Sequence, residues 1–280
     1  MPDPIRLGLI GDNIGASQAP RFHVLAGRQN GVSVTYDRLV PRETGEEFEA
    51  LFARVARGGY RGINVTYPYK ERAARLVRID DPQVAAMGAV NTVLFTAEGA
   101  QGYNTDHSGF IAAYRQARGE ATPGHVLLIG AGGVGRSIAF ALATLGAQEF
   151  RITDTLPDRA DALADTLRRN FPGLALRTGR DAAALAEGAT GMVNATPVGM
   201  VGQPGTPLSP EAMQGAAWAF DAVYTPVETQ FLVAAQAAGA QTISGYELFI
   251  GQGVDAWRLF TGLPLGESRL RTELTAEVVP

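Results

Sequence analysis

The segment Gly130-Ala131-Gly132-Gly133-Val134-Gly135 follows the apolar run His-Val-Leu-Leu-Ile and leads at once into Arg136-Ser137-Ile138-Ala139-Phe140-Ala141-Leu142, a good helix. Glycines at G-x-G-x-x-G spacing between a strand and a helix prepare a diphosphate site. Gly130 permits the tight turn, Gly132 lets the backbone approach the pyrophosphate, and Gly135 lets helix and strand pack closely. Free N–H groups at the helix start, Ala131 and Val134 lying within this loop, then hold the anion. The next strand, Phe150 to Thr153, ends in Asp154, 24 residues after Gly130. A carboxylate there accepts hydrogen bonds from the adenosine ribose and repels the extra phosphate of NADP, and no arginine adjoins it to clamp that phosphate. NAD is the expected cofactor. Arg159, five residues on, and Arg136 are the cations that keep NADP open. A third polar loop, Asn194-Ala195-Thr196-Pro197-Val198-Gly199-Met200, places Thr196, Pro197 and Met200 on the nicotinamide side.

Hydride chemistry at a hydroxyl also needs a proton partner that works near neutral pH. The chain has no cysteine and three scattered histidines, which removes a thiolate, disulfides and a metal set, so no metal is expected and Lys and Asp become the candidates. In Gly62-Ile63-Asn64-Val65-Thr66-Tyr67-Pro68-Tyr69-Lys70-Glu71 a buried-looking strand breaks at Pro68 and Lys70 opens a helix. A lysine in that position ordinarily points into water. Its company changes the reading: Gly88-Ala89-Val90-Asn91-Thr92 and Gly102-Tyr103-Asn104-Thr105-Asp106 also gather small residues with amide or carboxylate side chains. Three such clusters are hard to explain by turns alone.

The elements that must position these groups are short apolar strands, Ile5 to Ile10, Val32 to Leu39, Gly62 to Val65, Val126 to Ile129, Phe150 to Thr153 and Gly191 to Asn194. They alternate with helical segments such as Glu46 to Arg57, Val134 to Leu145 and Pro157 to Asn170, which predicts an α/β fold with a largely parallel sheet. At 280 residues the chain suits two domains. The crossing is placed near Asp106, with a helix from about Ser108 to Arg115 carrying the chain over. Hydrophobic residues at 46% and charged residues at 19% supply sizeable cores, and a net charge of −4 offers no field for nucleic acid or an anionic membrane. The N-terminal Met-Pro-Asp-Pro-Ile-Arg lacks a leader pattern and no apolar run is long enough to span a membrane, so a cytoplasmic protein is expected. His23 reads as a helix or core histidine, and Trp218 and Trp257 as core packing.

In this order, G-I-N-V-T-Y-P-Y-K-E, G-A-V-N-T, G-Y-N-T-D-H-S-G, G-A-G-G-V-G, N-A-T-P-V-G-M, D-A-V-Y-T-P-V-E-T and G-Y-E-L-F-I-G-Q resemble the motifs of shikimate and quinate dehydrogenases. The resemblance implies two domains: a substrate-binding, catalytic α/β domain, residues 1–106 completed by 245–280, and a Rossmann-like dinucleotide domain, 107–244. It implies a catalytic dyad of Lys70 and Asp106. Asn91, Thr66 and Gln252 match residues that bond ring hydroxyls, and Ser17 and Tyr224 match those that reach the substrate carboxylate. The partner is then a small cyclic polyol acid, shikimate or quinate, oxidised reversibly to the 3-dehydro acid by a monomer or homodimer. The family's NADP members carry Asn-Arg-Thr where this chain has Asp154-Thr155-Leu156, which agrees with NAD.

One departure stands out. The family shows two hydroxyl residues one position apart before a Pro, and here the second is Ala19 in Ala16-Ser17-Gln18-Ala19-Pro20-Arg21. Losing a hydrogen bond to a carboxylate costs about 1.5–3 kcal/mol. Either Gln18, Arg21 or water compensates, or the preferred ring differs, the freed room admitting the additional hydroxyl of quinate. Alternatives to the main reading are an enzyme of the same fold acting on a related acid such as aminoshikimate, on a folate or on an acyclic hydroxy acid, and a non-catalytic nucleotide-binding protein.

Overall fold

The computed structural model describes residues 4–276. Residues 1–3 and 277–280, which hold the start of the segment read for a leader and the outer limits of the expected catalytic domain, lie outside the described residues. The chain forms two compact units: one ends at Thr105 and resumes at Gln252, the other is Asp106–Gly251. Both crossings fall inside helices, Thr105–Arg118 and Gly245–Thr261.

The first unit holds β1 (Ile5–Ile10), β2 (Val34–Leu39), β3 (Gly62–Val65), β4 (Thr92–Thr96) and β5 (Gly99–Tyr103) in one sheet of order β2-β1-β3-β4-β5. The first three strands pair in parallel, while β3–β4 and β4–β5 are antiparallel. On one face Ile10, Leu51, Phe52, Val55, Ile63 and Val93 form a buried cluster, which the helix Phe48–Ala56 joins through an apolar stripe at 48, 51, 52 and 55. The other face is closed by the late helix: Leu7 packs with Ala256 and Phe260. A Cβ at Gly62 would stand 2.5 Å from the Phe260 ring, so only glycine lets this helix lie down on β3.

The second unit is a six-stranded sheet of β6 (His125–Ile129), β7 (Glu149–Thr153), β8 (Ala175–Thr178), β9 (Gly191–Asn194), β10 (Trp218–Asp221) and β11 (Gln241–Ser244). All pairings are parallel and the order is β11-β10-β9-β6-β7-β8. Read from β8, this is the 3-2-1-4-5-6 order of a dinucleotide-binding sheet, with its switch point between β6 and β9. The central strands are covered on both faces and are therefore apolar almost throughout. Glu149 opens β7 in a cluster with Arg151, Arg177 and His125, and Arg151 donates to the Leu185 and Glu187 carbonyls. Arg151 holds the Glu149 carboxyl below its usual range.

Several expectations shift at their edges. The strand expected from Val32 starts at Val34, and the crossover helix expected over Ser108–Arg115 runs from Thr105 to Arg118. Its earlier start has a cause remote in sequence: the Thr105 N–H donates to Asn91 Oδ1 at 2.7 Å, which serves a backbone group that a helix end otherwise leaves unpaired.

His23 lies 2% exposed between Phe22 and Tyr36, its ring stacked on Tyr36 at 5.1 Å, and its Nδ1 has no hydrogen-bond partner among the described residues. Burial pushes the imidazole down to about 3, outweighing the neighbouring Asn64. The folded value lies below the free value of 6.5, so the neutral ring's contribution to stability is complete above pH 6.5 and is lost as pH falls toward 3. At pH 5 the unfolded chain gains ~2 kcal/mol from this residue, at ~1.36 kcal/mol per pH unit. Urea unfolding of wild type and His23→Phe at pH 7.5 and pH 5 checks this. The stability gap between the two proteins should move by that amount in favour of the variant at pH 5, and a gap independent of pH would show that His23 takes up a proton in the folded state.

Candidate functional site

In the first unit Lys70 opens the helix Lys70–Ala74, half-buried. Its backbone is pinned from several directions. The Lys70 carbonyl accepts the Val90 N–H at 3.0 Å, the Tyr69 N–H donates to the Thr66 carbonyl at 2.9 Å, and the Thr66 N–H donates to the Ile10 carbonyl. The Tyr69 ring stacks on Phe48 at 4.7 Å, and its hydroxyl donates to Asp12 Oδ1 at 2.6 Å. Asp12 in turn takes Arg42 on its second oxygen at 2.9 Å. A lysine on so short a helix would otherwise fray; here the chain before and after it is held to the carboxyl end of β1 and to the Gly88–Asn91 turn.

Asn91, 2% exposed, has its amide saturated within the protein. Oδ1 accepts the Thr105 N–H and hydroxyl contacts from Thr92 and Thr105, while Nδ2 donates to Thr105 Oγ1 at 3.0 Å and to Gln252 Oε1 at 3.1 Å. The orientation is forced, because the Thr105 N–H can only donate and therefore fixes which end of Asn91 is oxygen. Asn91 Nδ2 must then face Gln252 Oε1. The Gln252 amide nitrogen is the other end of that amide, and it can act only as a donor. Asn91 and Gln252 thus meet directly, although 161 positions separate them.

Ser17 lies ahead of the first helix, its Oγ accepting the Ala19 N–H at 3.3 Å and its carbonyl accepting Arg38 Nη2 at 2.9 Å. Arg38, on β2, was not marked by sequence reading; only the parallel pairing of β1 and β2 brings it there. Ala19 packs on the cluster of Leu9, Ile14 and Val40. Arg21 is committed elsewhere: Nη2 donates to the Glu273 carbonyl at 2.8 Å and the Ala276 carbonyl at 2.5 Å, holding the last helix. Of the two side chains named as substitutes for the missing hydroxyl, Gln18 is the one without a hydrogen bond among the described residues.

The remaining candidates sit in the second unit. Asp106 is 2% exposed in the first turn of Thr105–Arg118. Tyr224 follows β10 and stacks on Phe249 at 5.0 Å. At the switch point Gly130 has φ +100°, and a Cβ there would meet the Ala195 carbonyl oxygen at 2.8 Å; a Cβ on Gly135 would meet the Gly130 carbonyl oxygen at 2.0 Å. Those two glycines are demanded by the protein's own packing. Gly132 is different, since nothing lies within 4 Å of its missing Cβ and its φ is −75°. It is the N-cap of Gly133–Thr144, and no side chain caps that helix or places an acid in its first turn. An open cradle of uncapped N–H groups, spanning Gly132 to Val134, fits a diphosphate. Asp154 ends its strand as expected, with Oδ2 accepting the Ala131 N–H at 2.8 Å and Oδ1 accepting the Leu156 N–H at 2.9 Å. Arg159 is exposed in the first turn of Pro157–Asn170.

The Asn194–Met200 loop is organised by a residue that sequence reading quoted in a motif but gave no role. Asp221, fully buried at the carboxyl end of β10, accepts Asn194 Nδ2 and the Val223 N–H, both at 2.9 Å, and the Thr229 hydroxyl at 2.6 Å. Asn194 Oδ1 accepts from both the N–H and the hydroxyl of Thr196, and its Nδ2 also donates to the Val198 carbonyl. Thr196 and Val198 are half-buried and Pro197 is exposed. Met200 lines an open pocket of about 490 Å³ with Gly202, Pro204 and Pro226. A carboxylate ending a buried apolar strand, as in Trp-Ala-Phe-Asp, was the available signal for Asp221.

No cluster of His, Cys, Asp and Glu able to hold a metal occurs among the described residues, and no described helix is long and apolar enough to cross a membrane.

Comparison with known proteins follows the same lines. The family model for the shikimate dehydrogenase substrate binding domain matches residues 9–93. The quinate/shikimate dehydrogenase (NAD(+)) of Corynebacterium efficiens is 38% identical over 278 residues, covering 96% of this chain and 97% of that protein. The shikimate dehydrogenase (NADP(+)) of Streptomyces avermitilis is 38% identical over 283 residues, with coverage of 97% and 95%. The solved quinate dehydrogenase from Corynebacterium glutamicum in complex with NAD superposes with a TM-score of 0.88 at 37% identity, covering 97% of this chain and 98% of that one. With identity of this level over nearly its whole length, the chain belongs to the shikimate/quinate dehydrogenase family of NAD(P)-dependent oxidoreductases.

Proposed function

We propose that this chain catalyses the reversible NAD-dependent oxidation of shikimate or quinate to the 3-dehydro acid. The observation that carries the reading is the Asp154 carboxylate bonded to the Ala131 N–H beside the open Gly132 cradle. It combines a diphosphate seat with a negative charge that disfavours a 2′-phosphate. The similarity to relatives named for NAD(+) supports the same choice, although NADP(+)-named relatives match almost as closely.

In this reading the unit Asp106–Gly251 is the dinucleotide domain and the other unit binds the substrate ring. When bound, NAD supplies the hydride acceptor. Lys70 takes the hydroxyl proton during oxidation and returns it during reduction, with Asp106 as its acid partner. The pinned backbone at Tyr69, Lys70 and Val90 supports that assignment, because proton exchange requires a group held in place. Gln252, oriented by Asn91, donates to a ring oxygen; Thr66 adds a hydroxyl; Ser17 and Tyr224 address the carboxylate. Asn91 bonds ring hydroxyls only by sharing the N–H groups it already gives to Thr105 and Gln252, so its larger effect is to set Gln252.

Initial-rate NADH formation at alkaline pH, with shikimate and with quinate, tests the dyad. Lys70→Ala is expected to reduce kcat by about 10²–10⁴-fold while NAD affinity is kept, the range of a lost general acid–base group. Turnover of neither acid with either cofactor by folded wild type would remove the substrate assignment. The cofactor assignment has its own test in Asp154→Asn. The ratio of kcat/KM for NAD over that for NADP should fall at least about tenfold, ~1.4 kcal/mol of discrimination. Because the ratio cancels any general loss, an unchanged value would show that Asp154 does not select the cofactor.

A further inference from the structure

Two loops of the Asp106–Gly251 unit carry candidate site residues, Asn194–Met200 and the turn from Ala222 to Glu228 that bears Tyr224. Both end on one carboxylate. Asp221 Oδ1 accepts Asn194 Nδ2 and the Val223 N–H, while Oδ2 accepts the Thr229 hydroxyl. Through Asn194 this reaches the Thr196 N–H and hydroxyl and the Val198 carbonyl. Through Val223 it holds the residue before Tyr224, and through Thr229 it reaches the N-cap of Gln230–Ala237, where the Thr229 hydroxyl also accepts the Leu232 N–H. The Ala222 N–H donates to the Asn194 carbonyl at 2.8 Å, tying the loops a second time.

We propose that Asp221 is a positioning residue whose ionised form holds the cofactor-side loop and the Tyr224 turn in one arrangement, so that its protonation loosens both and weakens NAD binding. The proposal rests on the reading of the Asn194–Met200 loop as the nicotinamide side. Three donors converge on two oxygens, which suits a carboxylate; a protonated oxygen meets donors on every side, so one must be displaced or Thr229 must reverse its hydroxyl. Burial pushes the Asp221 carboxyl up to about 6, against the three hydrogen bonds that favour its charge. Of the elements around it, β9 reads Gly-Met-Val-Asn, β11 Gln-Thr-Ile-Ser, and the helix Gln230–Ala237 carries no ionisable residue, while Thr105–Arg118, which meets Phe220 through Phe110, carries Asp106, His107, Arg115 and Arg118, and Gly245–Thr261, whose Gly245 lies against the Asp221 carbonyl, carries Tyr246 and Glu247 near its start. On its own turn Tyr224 is half-buried and Glu228 is exposed. A carboxyl pushed up to about 6 changes charge between pH 5 and pH 8.

Calorimetric NAD binding and amide hydrogen exchange of the segments 194–200 and 221–229, from pH 5 to 8, test this on the full chain without substrate. For wild type the NAD Kd should rise roughly five- to tenfold on going from pH 8 to pH 5, the effect of one lost hydrogen bond. Exchange in both segments, corrected for intrinsic rates, should accelerate over the same transition. Asp221→Asn should show the weak binding and fast exchange at every pH. Thr229→Val keeps the carboxylate but removes a bond that stabilises its charge, so the midpoint should move to higher pH, which serves if Asp221→Asn does not fold. Exchange that is flat with pH in wild type, or a midpoint unmoved in Thr229→Val, would overturn the proposal. Absence of any NAD binding with the exchange transition intact would instead overturn the cofactor reading and leave Asp221 as the organiser of the loops.

Discussion

The substrate-side unit depends on satisfying one buried amide. Asn91 is almost wholly enclosed, and an enclosed amide left unpaired costs about 1–3 kcal/mol for each unmet group. Its partners come from β4, from the first residue of Thr105–Arg118 and from the late helix. Only when the antiparallel pair β3–β4 is in register and both helices are in place does the amide find all its bonds. Asn64, which donates to Thr92 Oγ1 and accepts the Tyr36 hydroxyl, extends the same polar layer toward β2. The requirement therefore fixes where the candidate residues Asn91 and Gln252 stand relative to one another, and it fixes the polarity that Gln252 presents.

The nucleotide unit solves the analogous problem with charge. Asp221 and Asn194 end adjacent parallel strands, fully buried and paired with each other, and each feeds a different loop. The glycine loop on the neighbouring strand is shaped by sterics instead: Gly130 and Gly135 are required where the Ala195 and Gly130 carbonyls crowd them, and Gly132 is open. Glycines crowded by the protein's own backbone and one with open space are separated within a single hexapeptide. In both units a buried polar residue sets candidate site groups: Asn91 turns Gln252, and Asp221 ties the Asn194–Met200 loop to the turn that bears Tyr224.

The α/β plan was legible from alternating apolar runs and helical segments, and the nucleotide loop from its strand–loop–helix context, because both signals are local. Asp154 was legible for the same reason: it ends a strand at a fixed distance from the glycines. Less visible were β4, β5, β8, β10 and β11. Thr-Val-Leu-Phe-Thr and Gly-Ala-Gln-Gly-Tyr form an antiparallel hairpin whose strand character comes from pairing more than from composition, and Gln-Thr-Ile-Ser is a strand because β10 lies beside it. Arg38, Asp12 and Asp221 escaped notice for a related reason, since each works through a contact with a residue remote in the chain or with the backbone.

By itself the sequence determined which groups are available: a glycine loop able to seat a diphosphate, a carboxylate at the end of the following strand, a Lys and an Asp in polar clusters, and no thiol. Those properties follow from residue type and short-range spacing. Tertiary structure alone decided how the groups are held. It started the crossover helix at Thr105 through Asn91, turned the Gln252 amide so that its nitrogen is free to donate, committed Arg21 to the last helix, and buried Asp221 deeply enough to raise its carboxyl to about 6. The physical reason is the same in each case: hydrogen-bond polarity and desolvation are set by what surrounds a group in space, and those surroundings come from strands and helices far apart along the chain.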